Sequence, residues 1–279
     1  MCSLPAEIKT FAMPDGYECA YRHYSPTGEP KATLVFLHGI QSHGGWYTRS
    51  CEKLAEAGYE VYFLDRRGCG LNTVDRAGAI SFRLMLDEIA AFIRAVKPTN
   101  RKLFLCGISW GGKMATSFPF RHPGLIDGLI LFCPGLASLV KMSLLDRVRI
   151  TIAAVVNKKR LFDVPLNDPA MFTASPEWQE FIRNDEKALR KAQARLLFQS
   201  VRFDIYLIRA WKGVTMPVLM FLAEHEQIIN NTKVRKFVEK FPTTDRTIIE
   251  YPGTHHTLEF EPEPQPFLAD LLAWLEKHK

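Results

Sequence analysis

The chain has 279 residues, 47% of them hydrophobic and 24% charged, the balance of an ordinary globular protein long enough to bury a core without staples. No run of about 18 apolar residues occurs, which excludes a membrane-spanning helix, and Met1-Cys2-Ser3-Leu4-Pro5 has neither the basic nor the apolar region of a secretory signal. The formal net charge is +6, but without a Lys/Arg block or basic-aromatic interleaving it reads as a solvated basic surface and not as a nucleic-acid site.

The six cysteines (Cys2, Cys19, Cys51, Cys69, Cys106 and Cys133) form no C-x-x-C pair. That spacing argues against a zinc site and a disulfide framework, and in favour of small core thiols in a reducing, cytoplasmic compartment.

Residues 6–24 read as a hairpin turning at Pro14-Asp15-Gly16. The run Ala32-Thr33-Leu34-Val35-Phe36-Leu37 suits a strand buried on both faces, and it is closed by His38-Gly39. A helix over 47–57 ends at Gly58, and Val61–Leu64 is a further strand ending at Asp65. Phe82, Met85, Ile89, Ile93 and Val96 share one helical face over 81–96, stopped by Pro98. Then follow a strand at 103–106, a helix at 110–121 and a strand at 129–133. After a long gap come a strand at 218–222, a helix at 232–241, a strand at 247–250 and a last helix from about 266 to 277. Such alternation implies a mostly parallel sheet with helices on both faces.

The segment 138–213 breaks this rhythm. It shows no clear strand. Ser143-Leu144-Leu145-Asp146 resembles a capping box, and Leu144, Leu145, Val148, Ile152 and Val155 share a helical face behind it. Residues 177–201 form a second amphipathic helical stretch. The segment holds 14 basic and 8 acidic residues, so its surplus accounts for the net charge of the chain. It is expected to be a helical cap over one end of the sheet. The division is therefore 1–137 and 214–279 as two parts of one core, with 138–213 inserted. The Pro/Glu-rich stretch 261–266 reads as a loop.

The strongest chemical signal is Gly107-Ile108-Ser109-Trp110-Gly111, a G-x-S-x-G motif that follows a buried strand and opens a helix. The serine of such a turn is strained and pushed above the sheet edge, and the two glycines leave room for the bend. A serine hydroxyl is a weak nucleophile. It needs a base within hydrogen-bond reach and an acid that orients the base, here expected from loops after later strands. The strand at 247–250 leads to His255 and His256, either of which suits the base. The loop after 218–222, Ala223-Glu224-His225-Glu226-Gln227, holds no Asp, so the acid is Glu224 or Glu226. An oxyanion hole needs two backbone N–H groups. Trp110, next after the nucleophile, supplies one, and Ile40 in the glycine-bearing loop 38–45 supplies the other. His38 and His43 lack a matching ligand set, so no metal is expected.

These landmarks resemble the monoacylglycerol lipase and lysophospholipase branch of the α/β hydrolases, the serine aminopeptidase S33-like group. They are His38-Gly39-Ile40-Gln41-Ser42-His43, Asp65-Arg66-Arg67-Gly68-Cys69-Gly70 and Gly107-Ile108-Ser109-Trp110-Gly111-Gly112. The group's G-x-x-D motif with its aliphatic pair falls on Ala223-Glu224-His225-Glu226-Gln227-Ile228-Ile229, which implies Glu226 as the acid, with Glu in place of Asp and Ala in place of Gly. Its G-x-x-H falls on Gly253-Thr254-His255-His256 and implies His256 as the base. The resemblance implies the α/β-hydrolase fold with an inserted helical cap and cleavage of a small-molecule ester or lipid through an acyl-enzyme on Ser109. No cofactor is needed. An amidase or aminopeptidase on the same triad is the nearest alternative, and a non-catalytic ligand receptor of the same fold is a third reading. The aromatic residues Phe172, Trp178, Phe181, Phe198, Phe203 and Trp211 suit either an acyl pocket or the core of the cap, and the basic cap suits a weak contact with anionic lipid.

Overall fold

A computed structural model describes residues 5–78, 80–262 and 266–279. Met1–Leu4, where the lack of a signal was read, and 263–265 of the expected loop lie outside the described residues.

The chain opens with β1 (Glu7–Ala12) and β2 (Glu18–Tyr24), an antiparallel pair turned by Gly16 at φ +80°. There follow β3 (Thr33–Leu37), α1 (Thr48–Glu56), β4 (Glu60–Leu64), α2 (Phe82–Val96), β5 (Leu103–Ile108), α3 (Trp110–Arg121) and β6 (Gly128–Phe132). The chain then leaves the sheet for α4 (Leu144–Val156), β7 (Leu161–Asp163), α5 (Pro176–Asn184), β8 (Lys191–Gln193) and α6 (Ala194–Ala210). It returns through β9 (Val218–Ala223), α7 (Asn231–Val238), β10 (Arg246–Tyr251) and α8 (Pro266–His278).

Eight strands form one sheet in the order β1-β2-β4-β3-β5-β6-β9-β10, parallel from β4 to β10. β3, β5, β6 and β9 are buried along their whole length, as strands covered by helices on both faces must be. Each Val, Leu or Phe so buried contributes about 1.5–3 kcal/mol. α2 starts where Ser81 Oγ accepts the Leu84 N–H at 3.1 Å, and it buries Met85, Ile89 and Ile93. α1 ends before Gly58, whose φ of +95° closes the turn into β4.

The insertion between β6 and β9 departs from expectation in three ways. β7 and β8 form a small antiparallel sheet where no strand was read. The stretch 177–201 is two helices and not one, because Arg190 donates to the carbonyls of Ile182, Arg183 and Asp185 and so closes the end of α5. On α4 the row Leu144, Leu145, Val148, Ile152 and Val155 lies in solvent, and Ile150 and Ala153 supply the buried face instead. Ser143 does cap α4, its Oγ accepting the Asp146 N–H at 3.1 Å. Among the described residues no helix is long and apolar enough to cross a membrane. The five described cysteines are free and buried.

Candidate active site

Every candidate residue sits at the carboxyl end of a parallel strand, where ligands bind in sheets of this kind. Ser109 follows β5 in the middle of the sheet. Ile40 follows β3 on one side, and Glu226 and His256 follow β9 and β10 on the other.

Ser109 has φ +51° and ψ −120°, a conformation costly for any residue with a side chain. Three contacts enforce it. The Ser109 N–H donates to Phe132 O at 2.9 Å, and Ser109 O accepts from Gly112 N at 2.9 Å and Gly135 N at 2.7 Å. The flanking glycines are obligatory: a Cβ on Gly111 would meet Leu37 O at 2.2 Å, and one on Gly107 would meet the Ala115 Cβ at 2.7 Å. β5 and α3 can approach this closely only without those methyl groups.

His256 is buried, and its Nδ1 lies 2.7 Å from Glu226 Oε2. An ionised carboxylate only accepts, so Nδ1 carries the proton and Nε2 is left as an acceptor. His256 Nε2 is buried without a hydrogen-bond partner, and Ser109 and His256 line one small cavity together with Gly39 and Ile40. The other oxygen of Glu226 accepts from Ile228 N at 2.7 Å and Ile229 N at 3.2 Å. Burial pushes the Glu226 carboxyl up, but its interaction with His256 and these donors outweigh it and hold the group below its ordinary value.

The structure thus brings Glu226, and not Glu224, to His256. Glu224 is exposed and accepts the Gly253 N–H at 2.8 Å. His255 turns away, with its Nδ1 3.2 Å from Glu261. The N–H groups of Ile40 and Trp110 donate no hydrogen bond among the described residues, and both residues line a cavity with Ser109.

Other partners were not legible in the sequence. The Cys133 thiol lies against the Glu226 carboxylate; burial first, and then that carboxylate, push it well above its ordinary value. Cys133, Glu226 and His256 are the one close group of three potential metal ligands among the described residues, and within it Glu226 and His256 are hydrogen-bonded to each other. His38 is engaged through both nitrogens, Nδ1 to Gly39 O at 2.8 Å and Nε2 to Arg66 N at 3.1 Å, and burial together with the Arg66 charge lowers it to about 3, so it is neutral. His43 Nε2 meets Asp185 of the insertion at 2.9 Å, and Trp46 Nε1 donates to the same oxygen at 2.6 Å. A search for charge patterns would have found none of these, since the pairs are up to 142 residues apart.

A cavity of about 550 Å³ opens beside Ser109 under the insertion. Its walls are largely aliphatic, with Val140, Leu166, Leu197, Val201, Ile205 and Ile229 among them. None of the aromatics named from the sequence lines it, although Phe172 lines the small cavity with Ser109 and His256 and packs on the His256 ring. Phe203 packs on Trp110 and Phe82, and Trp178 and Phe181 pack on Phe260.

Comparison with known proteins agrees with this fold. The chain is similar to the monoacylglycerol lipase of Mycolicibacterium smegmatis, 23% identical over 284 residues and covering 100% of both chains. It is also similar to phospholipase YtpA of Bacillus subtilis, 25% identical over 252 residues, covering 89% of this chain and 96% of the relative. The crystal structure of Paleococcus ferrophilus monoacylglycerol lipase superimposes with a TM-score of 0.84 at 23% identity, covering 94% of this chain and 100% of that one. The family model described as serine aminopeptidase, S33, matches residues 28–263. With that match spanning most of its length and the sheet order described above, the chain belongs to the serine aminopeptidase S33 family of α/β hydrolases.

Proposed function

We propose that this protein is a serine hydrolase that cleaves carboxylic esters with an apolar acyl chain through an acyl-enzyme on Ser109. One observation carries the reading. The strained Ser109 turn, the free Nε2 of a histidine tied to Glu226, and a large aliphatic cavity all meet at one point.

In this reading Ser109 Oγ attacks the ester carbonyl as its proton passes to His256 Nε2. The imidazolium that forms is stabilised by Glu226, which also keeps the ring in the tautomer with Nδ1 protonated. The N–H groups of Ile40 and Trp110 receive the oxyanion. They are in place before reaction and have no other partner to give up. His256 returns the proton to the leaving alcohol, then activates the water that releases the acid. Residues 138–213 serve as the cap, and the aliphatic residues it contributes make the acyl site.

A lipid substrate fits both that cavity and the names of the relatives, which include a monoacylglycerol lipase and a phospholipase. The exposed apolar row on α4 and the positive balance of the cap suit contact with an anionic lipid surface.

The test is labelling with a fluorophosphonate probe and turnover of a p-nitrophenyl ester series. Both are expected of the native protein, and Ser109→Ala is expected to abolish both. Labelling that persists in Ser109→Ala, or native protein that binds esters without turning them over, would refute the reading.

A further inference from the structure

Arg66 is buried, with 8% of its surface exposed, and no carboxylate forms an ion pair with it among the described residues. Its neighbour Asp65 is already committed to Arg22 Nη1 at 3.0 Å, Gly44 N at 2.7 Å and Leu71 N at 3.0 Å. Nε and Nη1 of Arg66 are buried without a hydrogen-bond partner. A buried cation with two unsatisfied donors and no ion-pair partner of its own opposes folding, and an apolar side chain of similar volume would avoid the cost. Something other than stability accounts for the charge here.

Its contacts show where it acts. Nη2 donates to Gly39 O at 3.2 Å and to Ile40 O at 2.5 Å. The guanidinium also lies over the Trp110 ring, 4.8 Å from its centroid. The peptide group that ends in Gly39 O begins the next residue with the Ile40 N–H. In a trans peptide the two point in opposite directions. A donor that holds Gly39 O therefore aims the Ile40 N–H the other way, and holding Ile40 O fixes the following peptide as well. Accepting a hydrogen bond at the carbonyl also polarises the peptide and strengthens its N–H as a donor. One guanidinium thus grips both peptides around the first oxyanion donor and braces the residue that supplies the second.

We propose that Arg66 is a positioning residue of the oxyanion hole: it orients the Ile40 N–H through the carbonyls of Gly39 and Ile40, steadies Trp110 by stacking, and places an unpaired positive charge behind the site where negative charge develops. The inference rests on the reading of Ser109 as nucleophile. His38 supports the same peptide from Gly39 O, and the Arg66 backbone N–H fixes the tautomer that lets it do so. Replacing the Arg66 side chain leaves that support intact, so the loop should keep its fold. The remaining loss is one of aim and charge, expressed in the transition state and not in substrate binding.

The experiment compares the full-length native protein with Arg66→Met and Arg66→Lys. Readouts are kcat and KM for a p-nitrophenyl ester, inhibition by an alkyl trifluoromethyl ketone, which forms a tetrahedral oxyanion on serine, and thermal midpoint. Arg66→Met is expected to lower kcat by about 10- to 100-fold with KM within about 2-fold, and to weaken the ketone in step. Its melting temperature is expected to stay level or rise. Arg66→Lys, which keeps a charge and a donor but not the stacked plane, is expected to recover part of the rate. A kcat within about 2-fold of native, a loss confined to KM, or a lower melting temperature with ketone affinity intact would overturn the proposal. Arg66→Gln gives the same comparison if the Met variant does not fold. The native protein separates the two readings: without Ser109 labelling the functional proposal itself falls, whereas labelled and fully active Arg66→Met removes only the role of Arg66.

Discussion

Glu226 Oε2 stands 2.7 Å from His256 Nδ1, and the methylene that distinguishes it from an aspartate is absorbed by a turn in which its other oxygen accepts the Ile228 and Ile229 N–H groups. The carboxylate is held from both ends, so its position depends on the loop as much as on the histidine. Glu226→Gln places an amide against Nδ1 and permits the wrong tautomer. It is expected to lower kcat by about 10²- to 10⁴-fold. Glu224→Gln changes only an exposed contact with Gly253 N and should stay within about 3-fold of native in steady-state kinetics. The reverse ranking would move the acid.

Gly111→Ala drives a methyl into the Leu37 carbonyl, since the added carbon would stand 2.2 Å from that oxygen. Backbone cannot yield here as a flexible side chain would. A loss of about 3 kcal/mol or more is expected, or failure to fold, measured by urea denaturation against the native chain.

Glu259, three residues beyond His256, is buried; burial raises its carboxyl to about 7 although Ser50 N donates to it at 3.0 Å and Ser50 Oγ and the Arg49 charge also favour the ionised form. Folded protein therefore holds a proton on this group between about pH 4.5 and 7 that the unfolded chain has released. The group weakens the fold as pH rises through that interval, by about 3 kcal/mol in all, and imposes no such cost below it. Glu259→Gln removes the titration. Its stability relative to native should improve from pH 4.5 to pH 7.5 by about that amount in urea melts. A difference that stays flat with pH would contradict the assignment.

Val201 on α6 faces the cavity beside Ser109. Val201→Trp is expected to lower kcat/KM about 10-fold or more for a p-nitrophenyl ester of a long acyl chain, and to spare the acetate. Equal effects across the acyl series would place the acyl chain elsewhere.

The exposed α4 row gives a separate expectation. Native protein should sediment with vesicles containing anionic lipid, less so at high salt, and Leu144→Asp combined with Val148→Asp should reduce that binding about 10-fold while sparing hydrolysis of p-nitrophenyl acetate. Unchanged vesicle binding in the double variant would exclude this face.

Much of the sheet was legible in the chain because β3, β5, β6 and β9 are buried on both faces and so appear as continuous apolar runs. The elbow was legible for a different reason. Gly107 and Gly111 mark the only backbone path that lets β5, β3 and α3 meet around Ser109. The insertion was less legible. The face of Leu144, Val148 and Ile152 has the helical period of a buried surface, and period alone does not say whether protein or solvent covers it. Three-residue strands such as β7 and β8 are too short to show any period, and they pair Leu161 with Gln193 across the whole of α5.

By itself, the sequence determined the class of fold, the place of the strained serine and the short lists from which acid and base had to come, because those features are written in local spacing. Only the tertiary structure set Cys133 against the Glu226 carboxylate, joined His43 to Asp185 across the insertion and laid the Arg66 guanidinium behind Gly39 and Ile40. Those relations are contacts between loops at the ends of different strands. Distance along the chain carries no record of them, and they exist only once the sheet has brought its carboxyl edges together.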